Sequence, residues 1–273
     1  MLVVSLFDGI AVARHALHAL KIVPDYYLGY EIDKYAAYIA EKNWPDHIPM
    51  GNVLDFDIKD LPKKVELLIA GSPCQGFSLQ GLQLGLEDER SKLVTKFFDI
   101  KEQTDPKYFL LENVNMKKET QDYISERLGV QPIIINTSMF LPQSRKRLYW
   151  TNIPVPEVTQ VEYDVLDFCP AGYVPGTTRK GIPRKVVTTD IFGCLTATYY
   201  KGIRADGRPL LCRNTGEFDL IRDDIEMLPP ELCEAIQGLP KGYTEGISNT
   251  QRYKSLGNAF SSAVIQHILK GTI

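Results

Sequence analysis

Five short apolar runs punctuate the first 150 residues, at positions 2–6, 26–30, 65–70, 108–111 and 132–136. Each is bounded by polar or turn-forming residues and is short for a helix, which is the pattern of a buried strand. Between them lie stretches with helical spacing of apolar residues, at 11–20, 33–42, 91–103 and 119–128. This alternation predicts an α/β fold: a parallel sheet with crossover helices. After Arg147-Leu148-Tyr149-Trp150 the pattern changes. Residues 154–211 are rich in Pro, Gly and Thr, with short β-branched runs, and read as a small irregular lobe. Helical patterning returns near 229–237 and 259–269. The expected division is a first domain over 1–153, a small β-rich lobe over 154–235, and a C-terminal segment, 236–273, returning to the first domain. No internal repeat or low-complexity tract interrupts it.

At 273 residues the chain supports one substantial core and a small second lobe. No apolar run approaches the length of a membrane span, and the N-terminus lacks the basic-then-apolar layout of a signal peptide. Met1 leads directly into the first strand, so nothing is expected to precede the fold. The five cysteines (Cys74, Cys169, Cys194, Cys212, Cys233) are scattered and form no C-x-x-C pair. A disulfide framework and a structural zinc are both disfavoured, no metal is expected, and a reducing interior, the cytoplasm, is the natural compartment. The formal charge of −3 conceals an uneven distribution: residues 178–213 hold eight basic residues (Arg179, Lys180, Arg184, Lys185, Lys201, Arg204, Arg208, Arg213) against two acidic ones (Asp190, Asp206). That segment is either a solvated basic face or a phosphate-contacting surface.

The turn after the first strand, Leu6-Phe7-Asp8-Gly9-Ile10-Ala11, opens the first helix, where backbone N–H groups suit a polar or anionic ligand group. Glu31 ends the second strand 22 positions after Gly9, the offset at which dinucleotide folds place a ribose-binding acid. Gly51-Asn52-Val53-Leu54-Asp55 is a polar turn after a short third strand, suited to an adenine amine. Only Gly9 remains of a G-x-G-x-x-G, which disfavours a pyrophosphate cofactor and with it a nicotinamide-dependent oxidoreductase. A phosphate-free adenosine ligand such as S-adenosylmethionine fits better.

Gly71-Ser72-Pro73-Cys74-Gln75-Gly76-Phe77-Ser78 puts a thiol on a tight turn at the carboxyl end of a buried strand, where α/β sheets bind ligands. Alone it is either a structural cysteine or a nucleophile. Leu110-Leu111-Glu112-Asn113-Val114 sets a glutamate at the end of another strand, where apolar neighbours favour a raised pKa and a role as an acid. In Gln143-Ser144-Arg145-Lys146-Arg147 two arginines occupy alternate positions entering a strand and are expected on one face. An arginine near a cysteine favours the attacking thiolate.

Taken in order, Phe7-x-Gly9, Glu31, Asp55, Pro73-Cys74-Gln75, Glu112-Asn113-Val114, Gln143-x-Arg145-x-Arg147 and Gly257-Asn258-Ala259 resemble the C5-cytosine DNA methyltransferases across nearly the whole chain. Leu195-Thr196-Ala197, Gln237-Gly238-Leu239-Pro240 and residues 251–258 resemble the family's late motifs. The openings at Ser5 and Arg147 resemble the de novo branch, while the bare catalytic domain resembles a bacterial or phage enzyme. Ala11 stands where the family has a second glycine, which reshapes the methionine pocket. The short segment before Leu195 implies a short or degenerate recognition site.

The resemblance implies a Rossmann-like S-adenosylmethionine-dependent methyltransferase fold with a target-recognition lobe, acting on double-stranded DNA as a monomer and releasing S-adenosylhomocysteine. Phe7, Asp8, Gly9, Ile10, Ala11, Glu31, Ile32, Val53, Asp55, Pro73, Leu93, Asn258 and Ala259 would bind the cofactor. Gln75, Ser78, Gln143 and Thr196 would bind substrate. Cys74 would add to C6 of a flipped cytosine, Glu112 would hold its N3/N4 edge, Arg145 would hold the base and stabilise the covalent intermediate, and Arg147 is the second candidate for that role. Residues 78–92 read as a loop closing over the base, and the basic segment as a phosphate contact. Two alternatives share the architecture: a tRNA cytosine-5 methyltransferase and a non-catalytic methyltransferase-like regulator.

Overall fold

The computed structural model describes residues 1–71, 89–178, 186–204, 207–213 and 225–273, with the backbone alone at 89–92 and 94. Seven strands form one sheet: β1 (Leu2–Leu6), β2 (Tyr26–Tyr30), β3 (His47–Pro49), β4 (Leu67–Gly71), β5 (Tyr108–Val114), β6 (Ile133–Asn136) and β7 (Lys146–Thr151), in the order β3-β2-β1-β4-β5-β7-β6. The pairs β1–β2, β1–β4, β2–β3 and β4–β5 are parallel, and β5–β7 is antiparallel. Order reverses between β1 and β4, so the carboxyl ends of these two strands flank a topological switch point, where such sheets bind ligands. The central strands are buried throughout, Leu2–Leu6 completely, as expected of a sheet covered on both faces.

The helices between the strands follow their apolar spacing. In α1 (Val12–Ala19) the residues Val12, Ala13, Ala16 and Leu17 form the buried stripe. Helix α2 (Lys34–Asn43) is capped by Asp33, whose side chain accepts from the Tyr35 amide at 3.0 Å. Helix α3 (Glu89–Thr104) starts two residues before the expected 91, so residues 89–92 belong to a helix and not to the expected loop; 78–88 lie outside the described residues. Helix α4 (Lys118–Leu128) ends at Gly129, whose φ of 71° lets its amide return to the Ser125 carbonyl.

The chain divides into two compact units. The first comprises Met1–Ile135, Lys146–Glu157 and Ile265–Ile273, and the second Asn136–Arg145 with Val158–Val264. These boundaries differ from the expected ones. The second unit takes the Gln143–Arg145 segment and runs well past 235, so the returning piece is nine residues, not thirty-eight. The reason is local packing within the second unit. Helix α5 (Pro230–Ile236) and helix α6 (Asn249–Asn258) are joined by buried Glu234, which accepts from the Gly242 and Thr244 amides and pairs with Arg252 at 3.0 Å. Gly257 on α6 lies directly against the Thr196–Ala197 backbone: a Cβ there would meet the Thr196 carbonyl carbon at 2.1 Å. The same unit holds an antiparallel sheet of β8 (Tyr173–Thr178), β9 (Val186–Thr188), β10 (Pro209–Arg213) and β11 (Ile225–Glu226), ordered β11-β10-β8-β9. Val186, Leu210 and Cys212 form its small core.

Candidate active site

The turn from β1 into α1 is built from alternating left-handed residues: Phe7 at φ 56°, Gly9 at 60° and Ala11 at 57°. Phe7 and Ala11 hold this conformation without being glycine, at a cost of about 1–2 kcal/mol each. A Cβ on Gly9 would meet nothing within 4 Å. Its amide donates to Glu31 Oε2 at 2.9 Å, while Glu31 Oε1 accepts from the Ile32 amide at 2.9 Å and the Asp33 amide at 2.7 Å. Burial pushes the Glu31 carboxyl up despite those three bonds, and the charge of Asp8 adds to the effect. Ile32 is 76% exposed beside it. Asp55 is exposed at the end of a single helical turn, Val53–Asp55, whose first residue is buried. Phe7 and Leu93, both partly buried, pack on the same core cluster.

These residues fit a phosphate-free adenosine ligand. The Glu31 carboxylate keeps one lone-pair site free for a ribose hydroxyl, since a carboxylate has about four and three are taken. Asp8 is a correction. Its carboxylate is fully buried and faces Tyr27 and His47, and its backbone amide and carbonyl bond Tyr30 and Ala11, so its side chain does not reach a ligand. The side chains of Ile10 and Ala11 are likewise buried.

On the chemical side, the parallel register sets Gly71, the last residue of β4, opposite Glu112 of β5. Glu112 is 8% exposed, and its Oε1 lies 3.1 Å from Arg147 Nε. The β5–β7 register explains the pair: Val114 stands opposite Arg147 and Glu112 opposite Tyr149, making Glu112 and Arg147 diagonal neighbours on one face.

Arg145 behaves differently. It precedes β7, and its amide donates to Asn136 Oδ1 at 2.8 Å, turning the chain before the strand begins. Its guanidinium, 3% exposed, donates to the carbonyls of Leu195 (2.9 Å), Gly257 (3.3 Å) and Ala259 (2.8 Å). The two arginines therefore do not share a face, and it is Arg147 that the structure brings to Glu112. Pro73, Cys74, Gln75 and Ser78 lie outside the described residues.

Residues 1–168 match the family model of the C-5 cytosine-specific DNA methylases. The chain belongs to this family. It is similar to the type II methyltransferase M1.ScrFI of Lactococcus lactis subsp. cremoris, at 28% identity, over 97% of this chain and 76% of that protein. Among solved structures it resembles the Entamoeba histolytica methyltransferase EhMeth, with a TM-score of 0.79 at 19% identity, covering 99% of this chain and 97% of the other. It also resembles the S. pombe Dnmt2 methyltransferase, with a TM-score of 0.70 at 16% identity over the same shares. The protein is a methyltransferase, and its methyl donor is S-adenosylmethionine.

In this methylase the remaining expected residues divide by accessibility. Thr196 and Asn258 are exposed, whereas Ala259 is buried. Gln143, expected to bind substrate, is completely buried, and its Nε2 donates to the Ile236 carbonyl at 3.0 Å. It holds the end of α5 instead. Of the basic segment, Lys201, Arg204 and Arg213 are exposed, while Arg208 is buried on the carbonyls of Thr198, Tyr199 and Gly202. Arg179, Lys180, Arg184 and Lys185 lie outside the described residues. Burial pushes the thiols of Cys169 and Cys212 up to about 11 and raises that of Cys233 as well, which disfavours the reactive thiolate at all three. Sequence reasoning missed Tyr27 and His47; a histidine at the start of a three-residue strand carries no signal of a partner 39 positions away.

Proposed function

We propose that this methylase transfers a methyl group to C5 of a cytosine flipped out of double-stranded DNA, through a covalent bond between Cys74 and C6. The observation that carries the reading is the pairing of Gly71 with Glu112, together with the Glu112–Arg147 ion pair. Cys74 follows Gly71 by three residues in the sequence. The chain thus enters the Pro73-Cys74 segment from a position beside the Glu112–Arg147 pair.

In this mechanism the Cys74 thiolate attacks C6, and the electrons of the C5–C6 double bond make C5 nucleophilic. Glu112 holds the N3/N4 edge and delivers a proton to N3 as the thiolate adds, so negative charge does not accumulate on the ring. Arg147, oriented by Glu112, holds the base, and Arg145 supports the segments carrying Thr196 and Asn258. The bound cofactor supplies an electrophilic methyl group on its sulfonium and is released as S-adenosylhomocysteine. Loss of the C5 proton then expels the Cys74 thiolate and restores the aromatic ring. Acid–base help of this kind contributes about 10²–10⁴-fold, against a flipping cost of a few kcal/mol.

On the cofactor side, Glu31 binds the ribose, Ile32 covers one adenine face, and Asp55 accepts from the adenine amine. Val53 supports that turn, and Phe7 and Leu93 line the pocket. The exposed Lys201, Arg204 and Arg213 contact phosphate, and the second unit reads the target; Gln75, Ser78 and Thr196 face the substrate. The setting is the cytoplasm, with a monomer acting on DNA. No described helix is long and apolar enough to cross a membrane.

The test is incubation of the protein and methyl-labelled cofactor with duplex DNA or with tRNA. Label in duplex DNA, at 5-methylcytosine, is expected. Label in tRNA alone would overturn the choice of substrate, and label in neither would favour a non-catalytic regulator.

A further inference from the structure

Beneath the cofactor turn lies a buried cluster that the proposed chemistry does not use. The side chain of Asp8 has no exposed surface, and that of His47 is 1% exposed. Asp8 Oδ1 accepts from the Tyr27 hydroxyl at 2.6 Å, and Oδ2 stands 3.0 Å from His47 Nε2. The backbone of Asp8 is used as well: its amide donates to the Tyr30 carbonyl at 3.0 Å and its carbonyl accepts from the Ala11 amide at 3.1 Å. Every polar atom of residue 8 is therefore engaged, on strands β2 and β3 and on the turn itself.

The neighbouring strands are shaped for this arrangement. His47 opens β3 directly opposite Tyr27 of β2, and the two rings pack with centroids 5.7 Å apart. Gly29, two residues on, makes the room: a Cβ there would lie 2.1 Å from His47 Nε2 and 2.9 Å from Asp8 Oδ2. His47 Nδ1 is buried and has no hydrogen-bond partner among the described residues. Residue 8 also sits between two left-handed residues, Phe7 and Gly9, just before a third at Ala11. Such strain persists only where the surroundings over-determine it.

We propose that Asp8, Tyr27 and His47 form a buried positioning network that holds the Phe7–Ala11 turn in its cofactor-binding shape without touching the cofactor. His47 Nε2–H and the Tyr27 hydroxyl clamp the two oxygens of Asp8, and this fixes the backbone that presents Gly9 to Glu31. The inference rests on reading that turn as the S-adenosylmethionine site.

The test is calorimetric titration of the full chain with S-adenosylhomocysteine, without nucleic acid, alongside thermal unfolding. His47→Ala is expected to weaken binding about tenfold, the effect of one lost charge-assisted hydrogen bond. His47→Gln keeps an N–H donor and is expected to restore binding to within about threefold of the parent. Tyr27→Phe removes a single hydroxyl and is expected to weaken binding and raise KM for the cofactor while kcat stays within about twofold. Parent-like binding by His47→Ala, or no rescue by His47→Gln, would overturn the network. If His47→Ala does not fold, parent-like binding by Tyr27→Phe overturns it. A parent protein that does not bind S-adenosylhomocysteine would refute the cofactor site itself; one that binds it but methylates no DNA would refute only the substrate.

Discussion

Replacing Glu31 by glutamine should harm cofactor binding at least as much as replacing it by alanine. The carboxylate accepts three backbone amides: Ile32 and Asp33 on Oε1 and Gly9 on Oε2. One lone-pair site on Oε2 remains, so one ribose hydroxyl can bind without displacing a backbone bond. A hydrogen bond to a charged acceptor is worth about 1.5–3 kcal/mol, so Glu31→Ala should weaken S-adenosylhomocysteine binding about 10- to 150-fold. Glutamine loses the charge and also turns an NH2 group onto amides that are themselves donors. In one amide orientation it faces the Gly9 N–H; in the other it faces those of Ile32 and Asp33. The isosteric change therefore releases the cofactor turn, while alanine leaves room for water. Calorimetry with S-adenosylhomocysteine and its 2′-deoxy and 3′-deoxy analogues reads both effects. One deoxy analogue should bind like the parent ligand and the other should lose the full increment. Glu31→Gln binding within about threefold of the parent, or equal losses for the two analogues, would refute the lone-pair count.

Because the Glu31 carboxyl is raised from 4.5, cofactor affinity should be complete above that raised pKa and fall as pH drops through it, with the loss beginning at higher pH than for an ordinary glutamate; titrations across acidic pH check this, and Glu31→Ala should flatten the profile. Fold stability runs the other way, since the unfolded carboxyl ionises first and the buried charge becomes a cost as pH rises. Arg145→Ala strips donors from three carbonyls and should destabilise the protein by about 3 kcal/mol or more in denaturant titration. Arg147→Ala should instead abolish most methylation while cofactor affinity stays near the parent value, and equal effects of the two variants in both assays would contradict this division. Gly257→Ala drives a methyl group into the Thr196 carbonyl and should lower the melting temperature by several degrees, roughly 1–3 kcal/mol, in a calorimetric scan.

The sheet was legible because its strands are buried on both faces: residues 2–6 and 26–30 carry strand bounds identical to those expected. β5 runs three residues past its expected end because Glu112, Asn113 and Val114 pair with Tyr149, Leu148 and Arg147 respectively, a partnership no local pattern announces. The alternation rule failed for the two arginines because Arg145 precedes the strand and is turned by Asn136. The extent of the second unit was hidden for a similar reason. Its helices are held by Glu234 and Arg252, 18 positions apart and ordinary surface residues by sequence. Motif spacing carries no sign of side-chain direction, so Asp8 and Gln143 were expected on the ligand and are buried instead.

The central claim is that Cys74 forms a covalent bond with C6 of a cytosine in DNA. The direct measurement is mass spectrometry of the protein after incubation with S-adenosylmethionine and a duplex in which 5-fluorocytosine replaces cytosine. Fluorine at C5 leaves no proton to lose, so the adduct persists. A stable protein–DNA adduct mapping to Cys74, carrying the transferred methyl group and absent from Cys74→Ala, is the predicted result. Methylation of ordinary duplex DNA by Cys74→Ala, or an adduct at another residue, would contradict the account.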